Sequence, residues 1–164
     1  MEQLSDLKYL LNRQQITDLL ARYCDQLDKY EIDEVADTFT VDAQADYGPG
    51  RGGLVIGRKA IRERIARGQS LFRRTHHQIG HSTITVDRNE ASGITTALTW
   101  HELFSGEQEL LALRYLDNFE YINKKWLISF RRVEISMVQG FEGTEWNWWE
   151  RNQPEHFDKT LHER

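Results

Sequence analysis

The sequence predicts a single α+β domain in which helices come first and a β-meander follows. Between residues 16 and 27, apolar side chains recur every three or four positions, the period of a helix that buries one face. In the second half, long segments rich in threonine, isoleucine and aromatic residues alternate with short polar turns, a pattern typical of consecutive antiparallel hairpins. Helices followed by such strands indicate helices packed on one face of a curved sheet. The 164 residues suit one domain and are short for two.

The first half of the chain is predicted to contain three helices. The apolar stripe of the first consists of Ile16, Leu19, Leu20, Tyr23 and Leu27. A short second helix is predicted over 33–39, with Asp33 as its N-cap. The third is predicted over 58–67, and Gly68 is expected to end it.

The strands are predicted from runs of β-forming residues bounded by turn residues. Two short extended segments, 43–47 and 54–56, flank a loop at 48–53 that glycine and proline dominate. The long strands of the meander are predicted at 77–86, 91–104, 110–122 and 126–138. Polar turns separate them, and the turn after the second strand contains Ser105-Gly106.

Composition excludes several classes of protein. The chain has 21 Lys and Arg against 26 Asp and Glu, a net charge of −5, whereas a general nucleic-acid binder needs a net basic surface. No apolar run approaches the roughly 18 residues of a membrane span, and the N-terminal residues show no apolar signal segment. The single Cys24 forbids an intramolecular disulfide and suits a reducing compartment. We therefore expect a cytoplasmic protein with neither nucleic acid nor membrane as partner.

Three of the 6 histidines fall within six positions, at His76, His77 and His81. On a helix, His77 and His81 would have the i, i+4 spacing of metal ligands. The surrounding isoleucine and threonine residues favour a strand, on which these two side chains would stand roughly 13 Å apart. We therefore expect no metal. A general base among these histidines and polar residues at the start of a strand both remain open.

Asp28, near the end of the first predicted helix, and His101, on a predicted strand, are candidate site residues. Asp28 either extends the inward stripe of the first helix, where its carboxylate needs a partner, or is solvated at the helix end. A negative charge at a helix C-terminus opposes the macrodipole, which weakens the second alternative. His101 ends a row of small residues that either lines a cavity or faces solvent, and the pattern alone favours solvent.

Other residues carry weaker signals. Tyr47, beside the glycine loop, is either a core or rim residue or a hydrogen-bond donor to a ligand. Cys24 is expected to be a small buried hydrophobe, since nothing basic flanks it. Segment 58–74 holds seven Lys and Arg against Glu63, which favours a solvated helix face over a surface that steers an anionic substrate.

The order and spacing of several short segments resemble a known family. They are 16–23 (ITDLLARY), 27–28 (LD), 39–43 (FTVDA), 57–61 (GRKAI) and 75–86 (THHQIGHSTITV). Over about residues 10 to 140 the chain resembles the SnoaL-like branch of the nuclear transport factor 2-like superfamily. The resemblance implies a cone-shaped α+β barrel, in which a strongly curved antiparallel sheet wraps around N-terminal helices and encloses a pocket. The single domain is then expected over 1–140, with a tail over 141–164.

Within this superfamily the polar residues most resemble those of scytalone dehydratases. The resemblance implies catalytic roles for Asp28, Tyr47, His77 and His101. It implies substrate contacts for Tyr23, placed like a tyrosine of bile-acid 7α-dehydratase, and for Tyr115 and Asp117, which replace a serine and an asparagine. The hexachlorocyclohexane dehydrochlorinases share the aspartate and the first histidine. Leu27 departs from the pattern, because the fungal enzymes have tyrosine there.

The implied function is that of a cofactor-independent lyase, a dehydratase that eliminates water from a small cyclic hydroxy-ketone-like molecule. A neutral imidazole takes a carbon-bound proton, an aspartate stabilises the imidazolium, and a tyrosine hydrogen-bonds the carbonyl. No metal or organic cofactor is expected. An isomerase or cyclase of the same fold remains an alternative. So does a non-catalytic protein that binds a small molecule or resembles the small subunit of ring-hydroxylating dioxygenases.

The tail carries Trp146-Asn147-Trp148-Trp149, more aromatic surface than a soluble domain leaves in water. We expect it to cover the mouth of the pocket or to bury against a second subunit. The resemblance implies a homodimer or homotrimer.

Overall fold

The computed structural model describes residues 2–140 and 144–150, without the side chains of residues 2–4. Its helices are α1 (Glu2–Asp28), α2 (Ile32–Ala36) and α3 (Arg58–Gln69), with a 3-10 turn at Pro49–Arg51. Its strands are β1 (Phe39–Asp46), β2 (Leu54–Ile56), β3 (Phe72–Asp87), β4 (Glu90–Leu103), β5 (Gln108–Ile122) and β6 (Lys125–Gln139). No helix in this part of the chain is both long enough and apolar enough to cross a membrane.

The strands form one curved, six-stranded sheet in the order β2-β1-β6-β5-β4-β3. The four long strands β3 to β6 pair antiparallel in sequence order, as the meander prediction required. The sheet departs from the predicted antiparallel pattern at β1, which runs parallel to β6 and antiparallel to β2. A parallel neighbour needs a long crossover. Here β2, α3 and the strands β3 to β5 lie between β1 and β6 along the chain. The α+β fold class is confirmed.

The core lies between α1 and the concave face of the sheet. The stripe predicted from helical period is buried throughout, at Ile16, Leu19, Leu20, Tyr23 and Leu27. Opposite it, Phe39, Phe119 and Ile128 of the sheet are at most 1% exposed. Each such side chain contributes on the order of 1.5–3 kcal/mol by leaving water, so this seam holds the helix in the sheet.

The boundaries of α2 differ from the prediction. The helix begins at Ile32 and ends at Ala36, and Glu31 precedes it without a side-chain cap. Asp33 is therefore not the N-cap. Its carboxylate instead accepts a hydrogen bond from Arg62 of α3, 2.5 Å away, which joins the two helices. Phe39 is buried as expected but begins β1.

Helix α3 continues through the glycine that was expected to end it. Gly68 lies inside the helix, which runs to Gln69. A Cβ at Gly68 would lie 2.6 Å from Nη1 of Arg64, one turn earlier. Gly68 therefore leaves room for the Arg64 guanidinium rather than terminating the helix. Strand β3 likewise begins at Phe72, five residues before the predicted start.

The row of small residues on β4 faces the helices, and the interpretation that favoured solvent for this face is wrong. Thr95, Thr99 and His101 are between 1% and 8% exposed, whereas Ile94 and Leu98 on the other face are 44% and 42% exposed. Period two assigns residues to faces but does not say which face the helices cover. Because the inward residues are small, they leave space between sheet and helices.

A buried ion pair joins the last two strands. Asp117 of β5 accepts two hydrogen bonds of 2.7 Å from Nε and Nη2 of Arg131 of β6, directly across the ladder. The Arg131 guanidinium lies 4.3 Å from the ring centre of Tyr23 and 4.1 Å from that of Tyr115. The charge of Arg131 is thus neutralised and its planar faces are covered by aromatic rings.

Removing one partner of this pair should destabilise the fold. Asp117→Asn leaves Arg131 charged and uncompensated in the core, so we expect the free energy of unfolding to fall by about 3–5 kcal/mol, measured by urea denaturation. As a control, Asp25→Asn breaks an exposed ion pair with Lys29 and should leave the urea midpoint nearly unchanged. Similar small changes in both variants would contradict a structural role for Asp117.

Candidate active site

A cavity of about 110 Å³ lies between α1, α3 and the concave face of the sheet. An apolar cavity of roughly 150 Å³ holds a benzene ring, so this volume is on the scale of one small ring. Its polar and aromatic lining consists of Tyr23, Tyr47, Arg51, Arg64, Gln69, Phe72, His77, Thr99, His101, Tyr115 and Trp146. Leucine, isoleucine and valine side chains complete the wall. Five of the predicted site residues therefore meet here: Tyr23, Tyr47, His77, His101 and Tyr115.

Asp28 lies behind His77 rather than in the cavity wall. Its Oδ1 accepts hydrogen bonds from the His77 ring at Nδ1, 2.6 Å away, and from the Thr75 hydroxyl at 2.8 Å. Its Oδ2 accepts from the backbone N–H of His77 at 2.9 Å. The last residue of α1 is thereby fixed to β3. Because Nδ1 donates to Asp28, Nε2 of His77 is the ring nitrogen that a ligand in the cavity can meet.

The electrostatics of Asp28 follow from these bonds. Partial burial acts to raise its pKa, but the hydrogen bonds from the His77 ring, the His77 amide and Thr75 outweigh burial and lower the pKa to about 2. Asp28 is therefore ionised at neutral pH. An ionised carboxylate on Nδ1 fixes the tautomer of His77 and stabilises its protonated form.

His101 is held by a second carboxylate. Its Nδ1 lies 3.0 Å from Oε2 of Glu109, and its ring stacks on Phe72 with 4.4 Å between ring centres. Burial lowers the pKa of His101 despite the hydrogen bond to Glu109, which acts to raise it. The ring is therefore neutral at neutral pH. Its Nε2 is buried without a hydrogen-bond partner among the described residues, so it is an acceptor in the cavity wall.

The two histidines face one another across a ring-centre distance of 5.3 Å. His77 of β3 pairs with Thr99 of β4, which is two residues before His101. An even offset keeps the two histidine side chains on the same, concave face of the sheet. Two imidazoles, each fixed by its own carboxylate, therefore line one small cavity.

The sequence analysis missed Glu109, although a signal for it was present. The residue is 0% exposed and binds His101 through one oxygen and Arg51 through the other, at 2.6 Å. It is the direct cross-strand partner of His101. A three-residue turn at 104–106, centred on Ser105, puts residue 109 opposite residue 101, so the register of that turn predicts the pair.

Tyr47 and Thr99 present unpaired hydroxyls. Both hydroxyl oxygens are buried, and neither has a hydrogen-bond partner within the described chain. Burial raises the pKa of Tyr47, so its phenol remains protonated and can donate. Burial also raises the pKa of Tyr23 and of Tyr115. A buried hydroxyl without a partner costs free energy that a ligand oxygen would recover.

Asp117 is the predicted substrate contact that the structure places elsewhere. It is absent from the cavity wall, and both of its oxygens bind Arg131. The pair lies behind the rings of Tyr23 and Tyr115, which do line the cavity. The spacing of Tyr115 and Asp117 put both on the inward face of β5, but it did not show the arginine across the ladder.

The neighbouring histidines lie outside this arrangement. His76 is 69% exposed at its side chain, 3.9 Å from Asp28, and His81 lies beside Thr96 on the exposed side of β3. The segment is a strand, so it does not have the helical geometry that a His77–His81 metal pair would need. Within the described residues, no group of three or more His, Cys, Asp or Glu side chains could hold a metal ion. Burial raises the pKa of Cys24 to about 12, so its thiol is not an activated nucleophile.

The described part of the tail contributes to the cavity. Trp146 is in its wall, and the Arg51 guanidinium lies 4.5 Å from the Trp146 ring centre. Trp148 forms a bridge with Ile135 of β6 but is 53% exposed. Residues 141–143 and 151–164 lie outside the described residues, so the cover or interface expected of the whole tail stays a prediction.

The Asp28–His77 pair predicts a measurable titration. A ¹³C NMR titration of Asp28 should give a pKa of about 2, and His77→Phe should raise it because burial then acts with fewer opposing hydrogen bonds. Since the folded-state pKa is depressed below 3.8, the stabilisation is complete above about pH 4 and is lost as the pH falls through about 2. His76→Phe is the control and should leave the titration unchanged. An Asp28 pKa near 4 in the native protein would contradict the pairing.

The comparisons with known proteins agree with this fold. A proposed scytalone dehydratase from Novosphingobium aromaticivorans is 21% identical, with a TM-score of 0.82 over 88% of this chain and 97% of that chain. Hexachlorocyclohexane dehydrochlorinase LinA-type3 from Novosphingobium barchaimii is 19% identical, with a TM-score of 0.73 over 86% and 97%. A protein of unknown function from Mycobacterium tuberculosis is 22% identical, with a TM-score of 0.70 over 79% and 74%. No curated protein sequence matches the chain. The SnoaL-like domain model matches residues 8–132, well over half of the chain, and the protein therefore belongs to the SnoaL-like family within the nuclear transport factor 2-like superfamily.

Proposed function

We propose that this protein is a cofactor-independent dehydratase that removes water from a small cyclic β-hydroxy-ketone. The observation that carries the proposal is the pair of imidazoles, His77 and His101, each fixed by a carboxylate and facing one cavity at 5.3 Å. Similar folds include proteins named for dehydratase and dehydrochlorinase activity, and both names describe eliminations.

In the proposed reaction, Nε2 of His77 removes the proton next to the carbonyl. The C–H bond breaks and its electron pair moves toward the carbonyl oxygen, while the ionised Asp28 stabilises the imidazolium formed on His77. Tyr47 donates its hydroxyl hydrogen to the oxygen that gains charge. A protonated phenol in a buried site stabilises such an enolate by an oriented hydrogen bond.

The second half of the reaction returns the proton. The C–O bond of the β-hydroxyl breaks as the carbon–carbon double bond forms, and the proton held by His77 leaves with the oxygen as water. The neutral His101 accepts a hydrogen bond at Nε2 from a polar group of the substrate and holds the molecule over His77. Atoms and charge balance without another reactant, because the base that takes the proton is the acid that returns it.

Removing the proposed base should abolish turnover. With a panel of β-hydroxy-ketones, His77→Ala should lower kcat/KM by about 10²–10⁴-fold, the usual contribution of one general acid–base group. Asp28→Asn should also lower it strongly because the imidazolium loses its counter-charge. If the two residues act as a unit, the double variant should be little worse than His77→Ala alone. Tyr47→Phe should have a smaller effect if Tyr23 also donates a hydrogen bond to the carbonyl oxygen.

A matched control separates chemistry from folding. His76→Ala removes the exposed neighbouring histidine and should retain wild-type turnover, and circular dichroism melts should show that every variant is folded. Unchanged turnover in a folded His77→Ala variant would contradict the mechanism. A rearranged product of unchanged mass would favour the isomerase alternative. No turnover across the panel by the wild-type protein would favour a non-catalytic binding protein.

We also propose that the convex face of the sheet assembles the protein into a homodimer or homotrimer. Leu98, Ala112 and Met137 are consecutive partners across β4, β5 and β6, and Leu98 and Met137 are each 42% exposed. Ile94 on the same face of β4, and Trp149 over the outward-facing Arg114, add further exposed apolar surface, more than isolated outward residues would give.

Sedimentation tests this assembly. Leu98→Glu should lower the mass in solution to that of a monomer, because a charge within the apolar row resists desolvation. Val41→Glu introduces the same charge at a site that is 77% exposed on β1 and should leave the mass unchanged. A monomeric wild-type protein, or a Leu98→Glu variant of unchanged mass, would exclude this interface.

A further inference from the structure

The charged groups in the cavity wall all have the same sign. Arg51 and Arg64 line the cavity, whereas no Asp or Glu is among the lining residues of the described chain. The nearest carboxylates are behind the wall: Asp28 is held by His77, and Glu109 by His101 and Arg51. A small cavity with positive charge in its wall favours a ligand that brings negative charge.

The two arginines differ in how their charge is balanced. Arg51 forms an ion pair with Glu109, 2.6 Å from Nη2 to Oε1. Arg64 donates from Nε to the backbone carbonyl of Arg51, and its guanidinium lies 4.7 Å from the ring centre of Tyr47. Among the ion pairs of the described residues, none includes Arg64. Its charge is therefore directed at the cavity without a carboxylate partner.

Other basic residues of α3 lie on the solvated helix face that composition favoured, whereas Arg73 and Arg74 belong to β3 and pair with the buried Glu102. Arg58 and Arg62 form ion pairs with aspartates that are 75–76% exposed, and Arg67 faces solvent. Arg64 is the exception, since it turns inward over Gly68, where any side chain would meet its Nη1. Burial lowers the pKa of Arg64, with a further contribution from Arg51, so the bare cation is unfavourable here and an anion would relieve the cost.

A second, independent feature points to a ligand at the same wall. The Tyr47 hydroxyl is buried without a partner among the described residues, on the ring that Arg64 covers. An unpaired phenol beside an unbalanced guanidinium suits two adjacent oxygen-bearing groups of one molecule. The planar fork of arginine matches a carboxylate, with which it forms paired charge-assisted hydrogen bonds.

We infer that the ligand of this cavity carries a carboxylate, which Arg64 binds beside the carbonyl group on Tyr47. The assignment of the carbonyl to Tyr47 rests on the proposed function. The carboxylate subsite does not, because it is a property of binding and requires no turnover. The substrate class is then an acidic cyclic hydroxy-ketone rather than a neutral one.

Benzoate and benzamide are matched probes for this inference, since they share size and shape and differ in charge. Isothermal titration calorimetry at pH 7 should show the wild-type protein binding benzoate at least about tenfold more tightly than benzamide, the scale of one hydrogen bond to a charged group. Arg64→Gln should lose this preference. Arg67→Gln, on the exposed side of the same helix, should keep it. Equal affinities, no binding of either probe, or a preference that survives in Arg64→Gln would overturn the inference.

A measurement on the wild-type protein keeps the test decisive if Arg64→Gln does not fold. The ¹⁵N–¹H signal of Arg64 at Nε, assigned with Arg64→Lys, should move on addition of benzoate and stay in place with benzamide. An unmoved signal would overturn the inference. A wild-type protein that prefers benzoate but has no dehydratase activity refutes the proposed function alone. Turnover of hydroxy-ketones without any benzoate preference refutes only the carboxylate subsite.

Discussion

A guanidinium group without access to water lies near the centre of the molecule, and its charge must be balanced there. Arg131 meets this constraint through Asp117 on the neighbouring strand and through the rings of Tyr23 and Tyr115. Because Tyr23 belongs to α1 and the others to the sheet, one charged group fixes the distance between helix and sheet. The same two rings form part of the cavity wall, so the core and the site share this support.

The candidate site keeps negative charge behind the surface that a ligand meets. Asp28 and Glu109 stand behind the histidines that they hold. The imidazoles are thereby oriented without placing an acidic oxygen against the ligand, which would repel a developing enolate. Beside buried side chains, where the effective dielectric constant is low, oriented groups of this kind act more strongly than in solvent.

Sequence reasoning predicted the helices, the strands and most of the candidate site, and its failures have physical causes. Helical period identified the buried stripe of α1, and the family resemblance brought Asp28, His77 and His101 together. Glu109 was missed because its role depends on strand register, which was not worked out from the turn. The face of β4 was misassigned because alternation alone does not show which side the helices occupy. Arg64 was counted with its solvated neighbours because composition does not show the direction of one side chain.

The glycine inside α3 sets a conflict between helix stability and ligand recognition at one position. In the interior of a helix, alanine is generally more stable than glycine by about 1 kcal/mol. Selection for thermal tolerance alone would therefore enrich alanine at residue 68. The added methyl group would displace the end of the Arg64 side chain, which is flexible and can swing away at little cost to the fold. A library screened only for heat resistance would therefore become enriched in well-folded proteins with altered ligand preference. Glycine retained at residue 68 would indicate that ligand binding had also been under selection.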